Sequence, residues 1–385
     1  MKKIMIIITA LLFITTMIGC KSNKESYKIL QKTYYFYLDT ISTITVEYDE
    51  KTKSETQVRA DLSHIDNILL NIEKEFSASK TWMMNQSGIQ KSTTMIVNEC
   101  SGMVNTDGSK MVTKVSAEFL QLVKAAYQIS EATKGGFDLT VGPLTKLWNI
   151  SGLTEYCKPG MGYDQTECVK PTDEEIEETV ALVDYQLIEI DEEAKTIYLP
   201  KQGMKLDFGA IAKGYAADCV MEYLKPRGYT IVSVNLGGNL IIAGASKLYE
   251  QENRVVESKI SNPLDGGVIL STKMTDITIV TSGINERYIE VDGNIYHHIL
   301  NPLTGYPFNN EIESVSIIGK SSMVADGLAT GIYALGLERG IAYIQSQPDY
   351  VAVFITKDRK IYIVGEFQYE LEPEIKDKFQ VFEIK

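Results

Sequence analysis

The chain has 385 residues, 44% of them apolar and 23% charged, with a formal net charge of −13. That acidity repels phosphate backbones and argues against nucleic acid as a partner; an anionic small ligand would need a cation, a metal or backbone N–H groups beside it. Five cysteines without a CxxC pair, and three histidines, argue against a zinc site.

The first segment is "MKKIMIIITALLFITTMIGC". Lys2 and Lys3 precede an apolar run from Ile4 to Ile18, which is short for a membrane span, and Gly19 stands just before Cys20. The pattern resembles a bacterial lipoprotein processing site, with Met17 where Leu is commoner. It predicts a signal peptide over residues 1–19 and lipid on the sulfur of Cys20. The mature protein would then sit outside the cytoplasm, anchored to the membrane through that lipid. Residues 20–33 are expected as a polar tether and 34–385 as one folded unit.

"YYFYLDTISTITVEY", from Tyr34 to Tyr48, is rich in aromatic and β-branched residues and predicts a strand with a bend. Ile65, Ile68, Leu69, Ile72 and Phe76 recur at helical spacing. A second helix should begin behind Ser116 and stop at Gly135 or Gly136, and a third carries a Thr172/Glu175 capping box. Cys157 and Cys168 bracket a turn-rich loop and could close a disulfide in an oxidising compartment. From about Tyr185 the period shortens. "YQLIEIDEEAKTIYLP" reads as a hairpin, and "GMKLDFG" as a strand running into the helix "AIAKGYAADCVMEYLKPRG". "YTIVSVNLGGNLIIAG" reads as a buried strand broken by Gly237 and Gly238. Two more hairpins follow, one turning at Asp292–Gly293 and one near Lys357 to Arg359. Helices dominate early and hairpins later, which predicts an α+β fold, a single intertwined two-lobed unit of helices on mixed or antiparallel sheets.

Late in the chain, "VADGLATGIYALG" reads as a helix with Asp326, Thr330 and Tyr333 on one face. Such a stripe either faces water or holds a hard metal. Asp207 ends its strand before a turn at Gly209 and a helix carrying Lys213, a geometry whose free N–H groups suit phosphates. It lacks the spacing of a Walker loop.

Together, "GGFDLTVGPL", "LDFGAIAKGYAAD", "TSG" followed by "HILNPLTGYP", and "ADGLATGIYALG" closely resemble the ApbE family, the FAD:protein FMN transferases, over roughly Tyr34 to Gly365. The resemblance implies magnesium-dependent transfer of the FMN part of FAD to a Thr or Ser hydroxyl of an exported redox protein, with AMP leaving. It also implies side-chain metal ligands at Asp326 and Thr330 and a carbonyl ligand at Ala210. It places FAD contacts at Gly136, Phe137, Asp138, Asp207, Lys213 and Ile299, and a general base at His298. A neutral imidazole near its ordinary pKa would suit that role. His297, its neighbour on a strand, should face the other way. Asn301 stands where the family usually has Asp, and Thr40-Ile41-Ser42-Thr43 lacks the Met and Gly of the family's early motif. Two alternatives use the same residues: hydrolysis of FAD to FMN and AMP, or a flavin-binding lipoprotein without catalysis.

Overall fold

Runs of β-branched and aromatic residues build the central sheet. Its strands are β1 (Tyr27–Tyr37), β2 (Thr40–Asp49), β3 (Ile231–Leu236), β4 (Asn239–Gly244), β5 (Ile277–Gly283), β6 (Ile312–Gly319), β7 (Val351–Thr356), β8 (Lys360–Val364) and β9 (Gln380–Ile384). In this computed structural model, which describes residues 26–78, 81–84, 88–157, 168–251 and 256–385, these nine strands lie side by side in chain order. All neighbours are antiparallel except β8 and β9. Residues 1–25, including the signal segment and Cys20, lie outside the described residues.

The fold begins earlier than composition suggests: β1 starts at Tyr27, so the stretch from 27 to 33 is strand and not tether. The expected bend between Tyr34 and Tyr48 is a full reversal. Leu38 and Asp39 both take positive φ, 51° and 54°, the requirement of a two-residue turn. Leucine is unusual there, and its N–H is held by the Glu73 carboxylate at 2.6 Å. The segment 231–244 likewise folds as two strands, β3 and β4, around Gly237–Gly238.

Four long helices matter for the site: α1 (Glu55–Phe76), α2 (Ala117–Ala132), α3 (Ala212–Leu224) and α4 (Ser322–Leu335). Ser116 caps α2, and the Thr172/Glu175 box caps the short helix Asp173–Val180. All four long helices contribute to the main apolar core with one face of the sheet. Alternation along β7 shows why its sequence is continuously apolar: Ala352 and Phe354 enter that core, while Val353 and Ile355 enter a second cluster on the opposite face. A third cluster surrounds Trp148, whose indole N–H donates to the Gly305 carbonyl at 2.7 Å. Cys157 and Cys168 belong to it and are bridged.

"GMKLDFG" is not a ladder strand. Met204, Leu206 and Phe208 are buried with the expected alternation, but the segment makes only a single bridge, Lys205 to Val141. A side chain replaces a neighbouring strand: Asn98 accepts the Leu206 N–H at 2.6 Å and donates to the Leu206 carbonyl at 3.0 Å.

Candidate active site

A cleft partly open to solvent is walled by segments from Thr40 to Thr330. It brings together Gly136, Phe137, Asp138, Asp207, Ala210, Lys213, His298, Ile299, Asp326 and Thr330, every site residue expected from sequence.

The 136–138 wall is prebuilt. Gly136 follows α2 and presses on α4, so closely that a Cβ there would lie 2.9 Å from the Ala334 Cβ. The Asp138 carboxylate accepts from the Thr140 N–H at 2.7 Å, the Thr140 hydroxyl at 2.6 Å and the Tyr185 N–H at 3.0 Å. Burial raises its pKa against those bonds. Asp207 is fixed by the Gly209 N–H at 2.7 Å and by the Thr145 hydroxyl, with its pKa also raised by burial. The expected row of free N–H groups at the start of α3 is shorter than the sequence suggests. Ala212 donates to the Phe208 carbonyl, and Gly214 donates to the Asp326 Oδ2 at 2.8 Å.

The α4 stripe is not a wet face. Asp326 is 3% exposed and Tyr333 is fully buried. Asp326 and Thr330 line the cleft, whereas Tyr333 packs edge-on to His297 outside it. The Thr330 hydroxyl shares a hydrogen bond with Ser282 at 3.2 Å. No cluster of three or more His, Cys, Asp or Glu with metal-ligand placement occurs among the described residues. The three expected ligands, Asp326, Thr330 and Ala210, offer one carboxylate, one hydroxyl and a backbone carbonyl, all hard donors. They suit magnesium only if ligand oxygens and water complete the shell. Among the residues lining the cleft, the carboxylates Asp138, Asp207, Glu286 and Asp326 outnumber the cations Lys213 and Arg287, a balance unfavourable to a bare polyanion.

His298 is held at both its backbone N–H and its Nδ1 by the Arg287 carbonyl, each at 3.1 Å. A carbonyl only accepts, so Nδ1 carries the proton and Nε2 keeps its lone pair. The expectation of an ordinary pKa fails here. Burial, with the charges of Arg287 and Lys213 nearby, lowers it to about 4 despite the hydrogen bond to the Arg287 carbonyl. His297 faces away, as expected, although it ends its strand (Asn294–His297) and His298 lies just beyond; its Nε2–H donates to the Phe308 carbonyl at 2.7 Å and its Nδ1 accepts the Ile299 N–H at 3.3 Å. Asn301 uses its carbonyl oxygen to accept the Leu303 N–H at 2.9 Å inside the 301–306 turn, a task that needs no charge.

The sequence reading missed Thr145, Ser151, Glu286 and Arg287, which also line the cleft. Glu286 and Arg287 follow "TSG" in an irregular stretch with no periodic signal.

The sequence profile of the ApbE family matches residues 38–355. The chain belongs to the ApbE family. It is 33% identical over 272 residues to an FAD:protein FMN transferase of Klebsiella pneumoniae (strain 342), covering 70% of this chain and 79% of that one. It is 30% identical over 271 residues to an FAD:protein FMN transferase of Treponema pallidum (strain Nichols), covering 67% and 71%. The flavin transferase ApbE from Vibrio cholerae superposes with a TM-score of 0.70 at 25% identity, covering 92% of this chain and all of the other. The ApbE-family fold is the α+β arrangement expected from sequence.

Proposed function

We infer that this ApbE-family protein transfers the FMN moiety of FAD to an acceptor protein. The observation that carries the reading is the convergence, in one cleft, of the Asp326–Thr330–Ala210 oxygens and an imidazole whose Nε2 lone pair is left free. The acceptor oxygen, from a Thr or Ser hydroxyl, forms a bond to the FMN phosphorus; the phosphorus–oxygen bond to AMP breaks, and AMP departs. His298 takes the hydroxyl proton on Nε2, and the Arg287 carbonyl holds the resulting imidazolium through Nδ1–H. Asp326, Thr330 and the Ala210 carbonyl would hold magnesium, which neutralises charge on the pyrophosphate and polarises the phosphorus. Gly136, Phe137, Asp138, Asp207, Lys213 and Ile299 shape the FAD-binding wall.

The extracytoplasmic location and the lipid on Cys20 are supported by the signal-like segment ahead of it, and they point to an exported redox protein as acceptor. Incubation of the mature chain with FAD, magnesium and such an acceptor should give flavin fluorescence on the acceptor in a denaturing gel, with one AMP per flavin. AMP without labelled protein would mean hydrolysis of FAD, and FAD retained without either product would mean a flavin binder.

A further inference from the structure

Asp218 closes the motif "LDFGAIAKGYAAD" yet does not line the cleft. It lies on α3 and reaches the start of α4. Its carboxylate accepts from the Ser321 hydroxyl at 3.0 Å, the Ser322 N–H at 2.9 Å and the Met323 N–H at 3.0 Å. Ser321, the N-cap of α4, accepts the Val324 N–H at 3.3 Å. The first-turn donors of α4 are therefore satisfied by a residue of another helix together with its own cap.

One turn earlier on α3, the Gly214 N–H donates to Asp326 at 2.8 Å. A Cβ on Gly214 would stand 2.2 Å from the Ser322 carbonyl oxygen and 2.7 Å from the Asp326 Cβ, so the backbones meet there without a spacer. The two helices are thus joined at two points, each about one turn apart along its own axis. A slide of either helix breaks both.

We propose that Asp218 is a positioning residue. By fixing the register of α3 against α4, it aligns the Ala210 carbonyl, at the entry to α3, with Asp326 and Thr330 on α4. This rests on the magnesium reading above. A carboxylate that merely capped a helix would support stability alone; one that sets the register also sets the fit of the metal–pyrophosphate cradle.

The test separates these. FAD binding is followed by flavin fluorescence without acceptor, as magnesium is titrated, alongside thermal melting and transfer assays. Asp218→Asn keeps the shape but turns one acceptor into a donor facing N–H groups. It should raise the magnesium concentration for half-maximal FAD binding about tenfold, the free-energy scale of a lost helix cap. Saturating magnesium should restore transfer to within about twofold. Ser321→Ala, a milder change that keeps the assay open if the first variant fails to fold, should shift the midpoint the same way by a smaller factor. Ser54→Ala, which removes the cap of α1, should lower the melting temperature and leave the magnesium midpoint alone. Melting that falls in Asp218→Asn or Ser321→Ala with an unmoved magnesium midpoint overturns the proposal. A parent protein whose FAD binding ignores magnesium overturns the metal reading itself, and the alignment role with it.

Discussion

His298 allows the sharpest test. Its pKa of about 4, set chiefly by burial, means the proposed base is already deprotonated across the neutral range. An imidazole titrating at its ordinary 6.5 would be only about one-tenth neutral at pH 5.5, whereas one titrating near 4 would be almost wholly neutral there. kcat/KM for FAD, which reports the free enzyme, should therefore be nearly flat from pH 7.5 to 5.5 and fall only toward pH 4. Bound pyrophosphate favours the imidazolium, so the acid limb of kcat should lie at higher pH than that of kcat/KM. The shift also has a stability consequence. The unfolded chain binds protons at His297 and His298 near pH 6.5, the folded chain only near 4, so stability is lost as pH falls through that window, by up to about 3 kcal/mol for each histidine. The profile is measured by fluorescence of flavin on the acceptor, with circular dichroism at each pH to show that the fold persists. His298→Ala should lower transfer by roughly 10²–10⁴-fold and remove the acid limb. An acid limb of kcat/KM near 6.5 would refute the lowered pKa, and a His298→Ala protein with parental rates would refute the assignment of the base.

Asp326→Asn removes the one carboxylate among the three proposed magnesium ligands and should make transfer demand much more magnesium, as read from titrations with and without EDTA. Gly136→Ala drives a methyl to 2.9 Å from the Ala334 Cβ and should cost about 1–3 kcal/mol in denaturant unfolding. Reduction of Cys157–Cys168 should lower stability by at most about 3 kcal/mol while transfer survives, and intact-mass analysis should show two added hydrogens. Cys20→Ala should move the protein out of the membrane fraction, because a single modified cysteine is proposed to carry the lipid.

Sequence made the site legible where a side chain's neighbours are set by local geometry. The i, i+4 spacing puts Asp326 and Thr330 on one face of α4, and the opposite facing of His297 and His298 is expected of a strand, although the strand Asn294–His297 ends just before His298. It failed where a distant partner decides. The alternation of Met204, Leu206 and Phe208 is real, but Asn98, far back in the chain, makes that segment a side-chain-pinned extension rather than a strand. Leu38 gave no turn signal because its positive φ is held from outside by Glu73. Solvation was equally hidden: the pKa of His298 depends on what covers it, and no spacing shows that. Glu286 and Arg287 reach the cleft from an irregular stretch, where no period marks a face.

The cleft draws its walls from Thr40 through Thr330, and its two α4 oxygens come last. This ordering has a consequence for biosynthesis. A nascent chain that stops short of Asp326 already contains the strands β1 to β6, enough to pair into a sheet with apolar faces, but it lacks the α4 wall of the cleft, with Asp326 and Thr330. On the reading proposed here, flavin capture is then a competence that the growing polypeptide acquires late. Just before that, with β6 complete at Gly319, the emerging sheet exposes its last strand as an open edge for β7, still unmade, to occupy. Premature termination would leave a product that can aggregate but cannot capture FAD, so during synthesis the acquisition of function and the closing of that edge fall within the same late stretch of the chain.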